Sequence, residues 1–388
     1  MTDRIVILGA GVAADSCAFE LRERGFDGAV TVVGAEAHAP YDRTLLSKEF
    51  LGGLVGLGDL ALRAPQDYEA AGIGLRLGVA AVGLDVHGRR VLLADGSEVA
   101  YHRLVVATGG TPARPPALDH PDVLVLRSPA DAEALRAAIE RGGRVIVVGA
   151  GFIGGEVASA VAASGGEVAL VEAFEAPLAR AVGPAVGRRI AALHRARGVE
   201  LSTGVAARRV RRRAGGLEVA LADGRTLRGD AVVVGAGMVP DVGWLRGSGV
   251  ALDRGVVTDA RCRTNVDEIL AAGDCARWWN PRYEMAMRVE HWDTAARHGA
   301  AAARSALGAG APFAPVPFFW SVQHGVRLQC VGHPAGWDVV EVDDLDPPQS
   351  FVARYQRDGR LLATFAAGNP RAVADARRRL EAEEEVLA

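Results

Sequence analysis

One pattern restricts this chain of 388 residues more than any other. A strand-length apolar run ends in a Gly-x-Gly turn that opens a helix, and it does so twice. Ile5 to Leu8 leads into Gly9, Ala10, Gly11, Val12, Ala13 and Ala14, then a helical stretch to about Arg24 and a second strand over Ala29 to Val33. Gly149 stands 140 positions after Gly9. There Arg144 to Val148 leads into Gly149, Ala150, Gly151, Phe152, Ile153 and Gly154, then a helix and the strand Glu167 to Val171. The first glycine permits a tight turn and the second lets backbone approach a pyrophosphate. The third small residue brings helix and strand together, and the helix N-terminus faces the anion. Two copies in strand–turn–helix context predict an α/β protein with two Rossmann-like dinucleotide-binding domains.

A carboxylate about 20 residues beyond such a turn accepts ribose hydroxyls and repels a 2′-phosphate. Glu172 follows Gly151 by 21 residues, which favours NADH over NADPH. In the first repeat the second strand ends at Gly34-Ala35-Glu36, so Glu36 is the nearest acid. Between the repeats, Val82 to Val99 reads as hairpins turning at His87-Gly88 and Asp95-Gly96. The runs Leu104 to Ala107 and Ala231 to Val234 end in Thr108-Gly109-Gly110 and Gly235-Ala236-Gly237. After the Pro-rich stretch 312–317, alternating aromatic and β-prone residues and a charged final helix predict a smaller α+β domain.

Composition removes other classes. Lys plus Arg is 44 against 47 Asp plus Glu, a net charge of −3, so no nucleic-acid-binding face is indicated. The Arg211-Arg212-Arg213 run reads as a solvated hairpin edge, with docking of an acidic partner protein as the sharper alternative. Four scattered cysteines form no Cys-x-x-Cys pair, and the nine histidines show no ligand spacing, so no metal is expected. His291 and His298 are too far apart to share a ligand. No run approaches the ~20 apolar residues of a membrane span. A cytoplasmic protein that engages no membrane is expected.

The string Pro40-Tyr41-Asp42-Arg43-Thr44-Leu45-Leu46-Ser47-Lys48 resembles the Pro-Tyr-x-Arg-Pro-x-Leu-Ser-Lys of the oxygenase-coupled NADH–ferredoxin reductases, the putidaredoxin reductase-like flavoproteins. Further strings agree with that resemblance: Ala107-Thr108-Gly109-Gly110, Ala271-Ala272-Gly273-Asp274, Arg288-Val289-Glu290-His291-Trp292 and Phe319-Trp320-Ser321-Val322-Gln323. Thr44 replaces the usual Pro, Ala35 the usual acid, and Asp241 a frequent Asn. The resemblance implies a glutathione-reductase-like arrangement: an FAD domain over 1–110 and 235–311, an NADH domain over 111–234, and a C-terminal domain over 312–388. It implies FAD contacts from Gly9, Gly11, Val12, Ala13, Ala14, Ala35 or Glu36, Arg43, Lys48, Ala81, Ala107, Thr108, Gly109, Arg127, Gly273, Asp274, Glu290, His291, Trp292 and Trp320. For NADH it implies Gly149, Gly151, Phe152, Ile153, Gly154, Glu156, Glu172, Arg180, Gly235 and Gly237.

The activity so implied passes electrons from NADH through FAD to a small two-iron ferredoxin. That ferredoxin serves a haem-thiolate monooxygenase or a ring-hydroxylating dioxygenase. Related disulfide reductases and NADH oxidases need cysteines between Cys17 and Cys262, where this chain has none. Glu156 opens the second glycine-turn helix, and Lys48 paired with it is the expected tuning pair of the flavin. A rubredoxin- or nitrite-linked reductase is the nearest alternative. An apoptosis-factor-like redox-sensing flavoprotein is the alternative from another class.

Overall fold

The computed structural model describes residues 3–346 and 349–382. The chain is interleaved between two units: residues 1–43, 58–111 and 239–317 form the first, and 44–57, 112–238 and 318–388 the second.

In the first unit a parallel sheet runs in the order Ile269–Ala271, Arg103–Val106, Arg4–Leu8, Ala29–Val33, Ile73–Arg76. Its central strands are continuous apolar runs because both faces are covered. Ile5 and Ile7 join the cluster under the helices Val12–Glu23 and Trp292–Ala306, while Val6 and Leu8 join the one beneath the opposite face. The two helices approach closely: a Cβ on Gly299 would fall 2.0 Å from the Ala13 carbonyl oxygen. The meander Ala81–Asp85, Arg90–Leu93, Glu98–Ala100 supplies the hairpins expected between the repeats.

The second unit repeats the scheme in the order Glu200–Ser202, Glu167–Val171, Arg144–Val148, Ala231–Val234, Val123–Leu124. Its helix Pro129–Glu140 starts on a capping box between Ser128 and Asp131, with Pro129 at the first helical position. A five-stranded antiparallel sheet follows the chain from Phe318 and belongs to the same unit. Its Leu328, Tyr355 and Phe365 share one buried cluster with Val182, Val186 and Ile190 of the helix Ala179–Ala196. That helix bends at Gly183, which has a non-helical φ of 74° before Pro184 and where a Cβ would stand only 2.8 Å from the Trp337 ring. The closing helix Pro370–Ala382 buries Val373, Ala376 and Leu380 along one stripe. Among the described residues no helix is long and apolar enough to cross a membrane.

Candidate functional site

Both glycine turns sit at the carboxyl ends of parallel strands, where nucleotides bind in open α/β sheets. Gly9 has φ 110°, and a Cβ there would lie 2.0 Å from the Ala107 carbonyl oxygen, so only glycine fits. Gly11 differs: it caps the helix Val12–Glu23 with no side-chain hydrogen bond, and a Cβ on it would meet no protein atom within 4 Å. Packing therefore does not demand that glycine, and the helix N-terminus keeps an open, donor-lined face. The second turn repeats each detail. A Cβ on Gly154 would sit 1.8 Å from the Gly149 carbonyl oxygen, and one on Gly149 2.4 Å from that of Gly235. Gly151 caps its helix without a side chain and faces open space. Two uncapped helix ends behind glycines that packing does not require fit two pyrophosphate-bearing cofactors, one at each turn.

Around the first turn, Ala107, Thr108 and Gly109 leave the neighbouring strand, and Ala107 N–H donates to Leu8 O. The Thr108 hydroxyl donates to Asp241 O at 2.6 Å, and burial raises the Asp241 carboxyl above its ordinary value. Gly273 turns with φ 74° beside Ala13, and its N–H donates to His298 Nδ1. Glu290, His291 and Trp292 stand at the N-terminus of the helix Trp292–Ala306. Ala81 begins the first meander strand. Ala35 is exposed, whereas Glu36 accepts from Arg43 Nη2 and from the Tyr41 hydroxyl, both at 2.8 Å. The Arg43 guanidinium also lies 4.7 Å over the Tyr41 ring. Glu36 thus braces the loop that carries the Pro-Tyr-x-Arg string.

In the second unit Glu172 is buried. Its Oε2 accepts from Ala150 N–H at 2.7 Å and its Oε1 from Phe174 N–H at 2.9 Å. The acid at the strand end therefore also fastens the glycine turn. Phe152 and the exposed Ile153 open the adjoining helix. Arg180 lies with its guanidinium 5.7 Å from the Phe174 ring, and Gly235 and Gly237 follow the strand Ala231–Val234.

The same unit assembles a carboxylate hub. Glu156 is 3% exposed. Its Oε2 accepts from Lys48 Nζ at 3.0 Å and from the Ser47 hydroxyl, and its Oε1 accepts from the Ser321 hydroxyl at 2.6 Å. Val322 N–H points to the same oxygen at 3.4 Å. Lys48 is presented by a π-helical turn, Leu46–Phe50, and also donates to Thr44 O. A Cβ on Gly155 would collide with the Gln323 amide at 2.6 Å, so the helix must carry glycine where the strand Phe318–Gln323 crosses it. A buried carboxylate is stable only when charge and donors surround it, and this one has both. The hydroxyls of Ser47 and Ser321 were legible only as letters within motifs. Arg127 N–H donates to Asp131, and Trp320 stacks 6.0 Å from Phe318.

The arginine run does not join these turns. Arg212 pairs with Asp122, and Arg212 and Arg213 border a surface depression with Arg141, Gly142 and Asp230. That is the amino end of the strands Arg144–Val148 and Ala231–Val234, opposite the nucleotide turns. All four cysteines are buried and unpaired, and burial pushes the Cys275 thiol up to about 11 and the Cys330 thiol up to about 12. None is a poised nucleophile. Among the described residues no cluster of His, Cys, Asp and Glu suits a metal ion.

Comparison with known proteins agrees with this geometry. Residues 3–299 match the pyridine nucleotide-disulphide oxidoreductase family and residues 318–388 the reductase C-terminal family. The chain is 37% identical over 387 residues to the ferredoxin–NAD(+) reductase component of an anthranilate 1,2-dioxygenase system from Burkholderia cepacia, covering 98% of this chain and 94% of the relative. A ferredoxin reductase from Rhodopseudomonas palustris superposes with a TM-score of 0.91 at 33% identity, covering 94% of this chain and 91% of that one. The covalent putidaredoxin reductase–putidaredoxin complex gives 0.93 at 30% identity, covering 97% and 93%.

Proposed function

Because this chain belongs to the pyridine nucleotide-disulphide oxidoreductase family, we propose that it is an FAD-dependent NADH:ferredoxin reductase whose two-iron ferredoxin serves an oxygenase. The observation that carries the reading is two complete dinucleotide cradles in a chain whose cysteines are all buried and whose described thiols are unpaired. Electrons therefore leave without a thiol relay. FAD, when bound, supplies the chemistry of accepting a hydride and releasing electrons one at a time.

The protein's own part is placement and charge. The open helix ends behind Gly11 and Gly151 neutralise the two pyrophosphates. Asp274 accepts hydroxyl donors of the FAD, and Glu172 those of the adenosine ribose of NADH, where its charge disfavours a 2′-phosphate. Lys48, held by Glu156, is assigned to the flavin, where a positive charge favours the reduced anion. Relatives named for ferredoxin reduction in oxygenase systems support the acceptor class. Four unpaired cysteines support a reducing, cytoplasmic setting.

The test is steady-state reduction of a purified two-iron ferredoxin by NADH under nitrogen, read from the ferredoxin's visible absorbance. Catalytic turnover is expected. NADH consumption that needs oxygen and leaves the ferredoxin oxidised would refute the assignment.

A further inference from the structure

We propose that His298 is a positioning residue for the flavin cofactor: by accepting a hydrogen bond from Gly273 N–H it locks the Gly273–Asp274 turn in the form that receives FAD. The proposal rests on the reading that this turn holds FAD.

His298 lies in the middle of the helix Trp292–Ala306, is 1% exposed, and has Nδ1 3.2 Å from Gly273 N. Its ring is fixed in a box: Phe313 stacks on it at 4.6 Å and 11°, and Trp278 leans against it at 5.0 Å. Because Gly273 N–H is the donor, Nδ1 carries no proton, and the neutral ring is the Nε2–H tautomer. Burial holds the imidazole at about 3, so it stays an acceptor at every working pH.

The turn needs that acceptor. Gly273 is buried, sits at φ 74°, and has space for only a Cβ-free residue, since a Cβ would stand 3.0 Å from that of Ala13. On the next position of the same helix, Gly299 brings the backbone against the Ala13 carbonyl. Two consecutive residues therefore set both the spacing of the two helices and the pose of the turn between them. An apolar residue at 298 would fill the box equally well but leave a buried N–H without an acceptor. The turn would then relax, and binding FAD would have to re-order it.

The test compares holoenzymes of His298→Leu, His298→Asn and Asp274→Ala with wild type. FAD release after dilution is followed by flavin fluorescence, beside the melting temperature of the apoprotein. Asn offers a carbonyl oxygen near the place of Nδ1, and Leu has the same branching without an acceptor. The expected result is release about tenfold faster for Leu, the ~1.4 kcal/mol of one unsatisfied buried donor, with Asn close to wild type. Leu and wild type releasing FAD alike, while Asp274→Ala loses it, overturns the role of His298. Asp274→Ala retaining FAD like wild type overturns the reading of the turn and the proposal with it. Should the Leu protein not fold, nitrogen NMR of histidine-labelled wild-type holoenzyme decides. An unprotonated Nδ1 on His298 is expected, and a protonated one overturns the proposal.

Discussion

At the scale of single residues, the side chains assigned to chemistry are held by more contacts than chemistry requires. Glu156 has a lysine on one oxygen and a serine on each. Lys48→Met should lower the flavin midpoint potential by on the order of 40 mV, about 2 kcal/mol for a two-electron couple, with FAD content unchanged. Glu156→Gln should raise it by unmasking the lysine. A redox titration showing one potential for both variants and wild type would leave Lys48 as a structural cation. Glu172 likewise holds the Ala150 and Phe174 amides. Wild type should prefer NADH to NADPH by at least about tenfold in kcat/KM, about 1.4 kcal/mol. Glu172→Arg should shrink that ratio mainly by losing NADH efficiency, because two amides lose their acceptor. A wild-type preference for NADPH in initial-rate assays would end this assignment. The acids were legible from spacing. Their second duty was not, since which backbone amide a carboxylate meets is decided by the fold.

Elements explain which glycines serve packing and which serve ligands. A side chain at position 11 meets no protein atom, and Gly11 has φ −102°, which any residue adopts. Gly11→Val should therefore fold with a normal melting temperature yet purify colourless. Gly9→Ala should instead lose at least ~2 kcal/mol of stability, from its positive φ and the Ala107 carbonyl. Yellow Gly11→Val protein of normal flavin stoichiometry would contradict the cradle. The two turns and their flanking strands were readable from apolar runs and glycine punctuation, and the strands of the C-terminal domain from alternating aromatic and β-prone residues. The docking of their sheet was not, because it hinges on long-range pairs. His194 and His324 meet at 2.9 Å where the turn after Phe318–Gln323 lies on the helix Ala179–Ala196. Burial holds both at about 4, helped by the neighbouring ring for His194 and by Arg197 for His324. The folded state thus keeps them neutral while the unfolded chain binds protons below about 6.5. Stability should be full above pH 6.5 and fall between 6.5 and 4 by up to ~1.4 kcal/mol per pH unit per histidine. His194→Leu should flatten that fall in thermal melts, and an unchanged pH slope would exclude the pair as its source.

For the molecule as a whole, the boundary that sequence draws at the Pro-rich stretch 312–317 is a change of composition, while the packing obeys another logic. Leu328, Cys330, Phe351, Tyr355 and Phe365 of the C-terminal sheet share the buried cluster of Val182, Val186 and Ile190. A chain ending at residue 317 should therefore aggregate on expression rather than yield a smaller soluble reductase. Gel filtration giving a stable monomer of the shortened chain would show that the cluster is dispensable. Residues 44–57, which carry Lys48, also belong to the second unit, and no compositional signal marks that excursion.

The interleaving has a consequence for synthesis on the ribosome. The edge strand Ile269–Ala271 pairs with Arg103–Val106, so the first sheet cannot close until residues 107–268 have been made. At about 5–20 residues per second that takes roughly 8–30 s. Throughout that interval Leu104, Val105 and Val106 present an unpaired apolar edge, and the second unit's own parallel sheet can close only near its end, once Ala231–Val234 has been made. The nascent chain thus spends many seconds as a natural client for holding chaperones, and its yield should depend on elongation rate as much as on final stability.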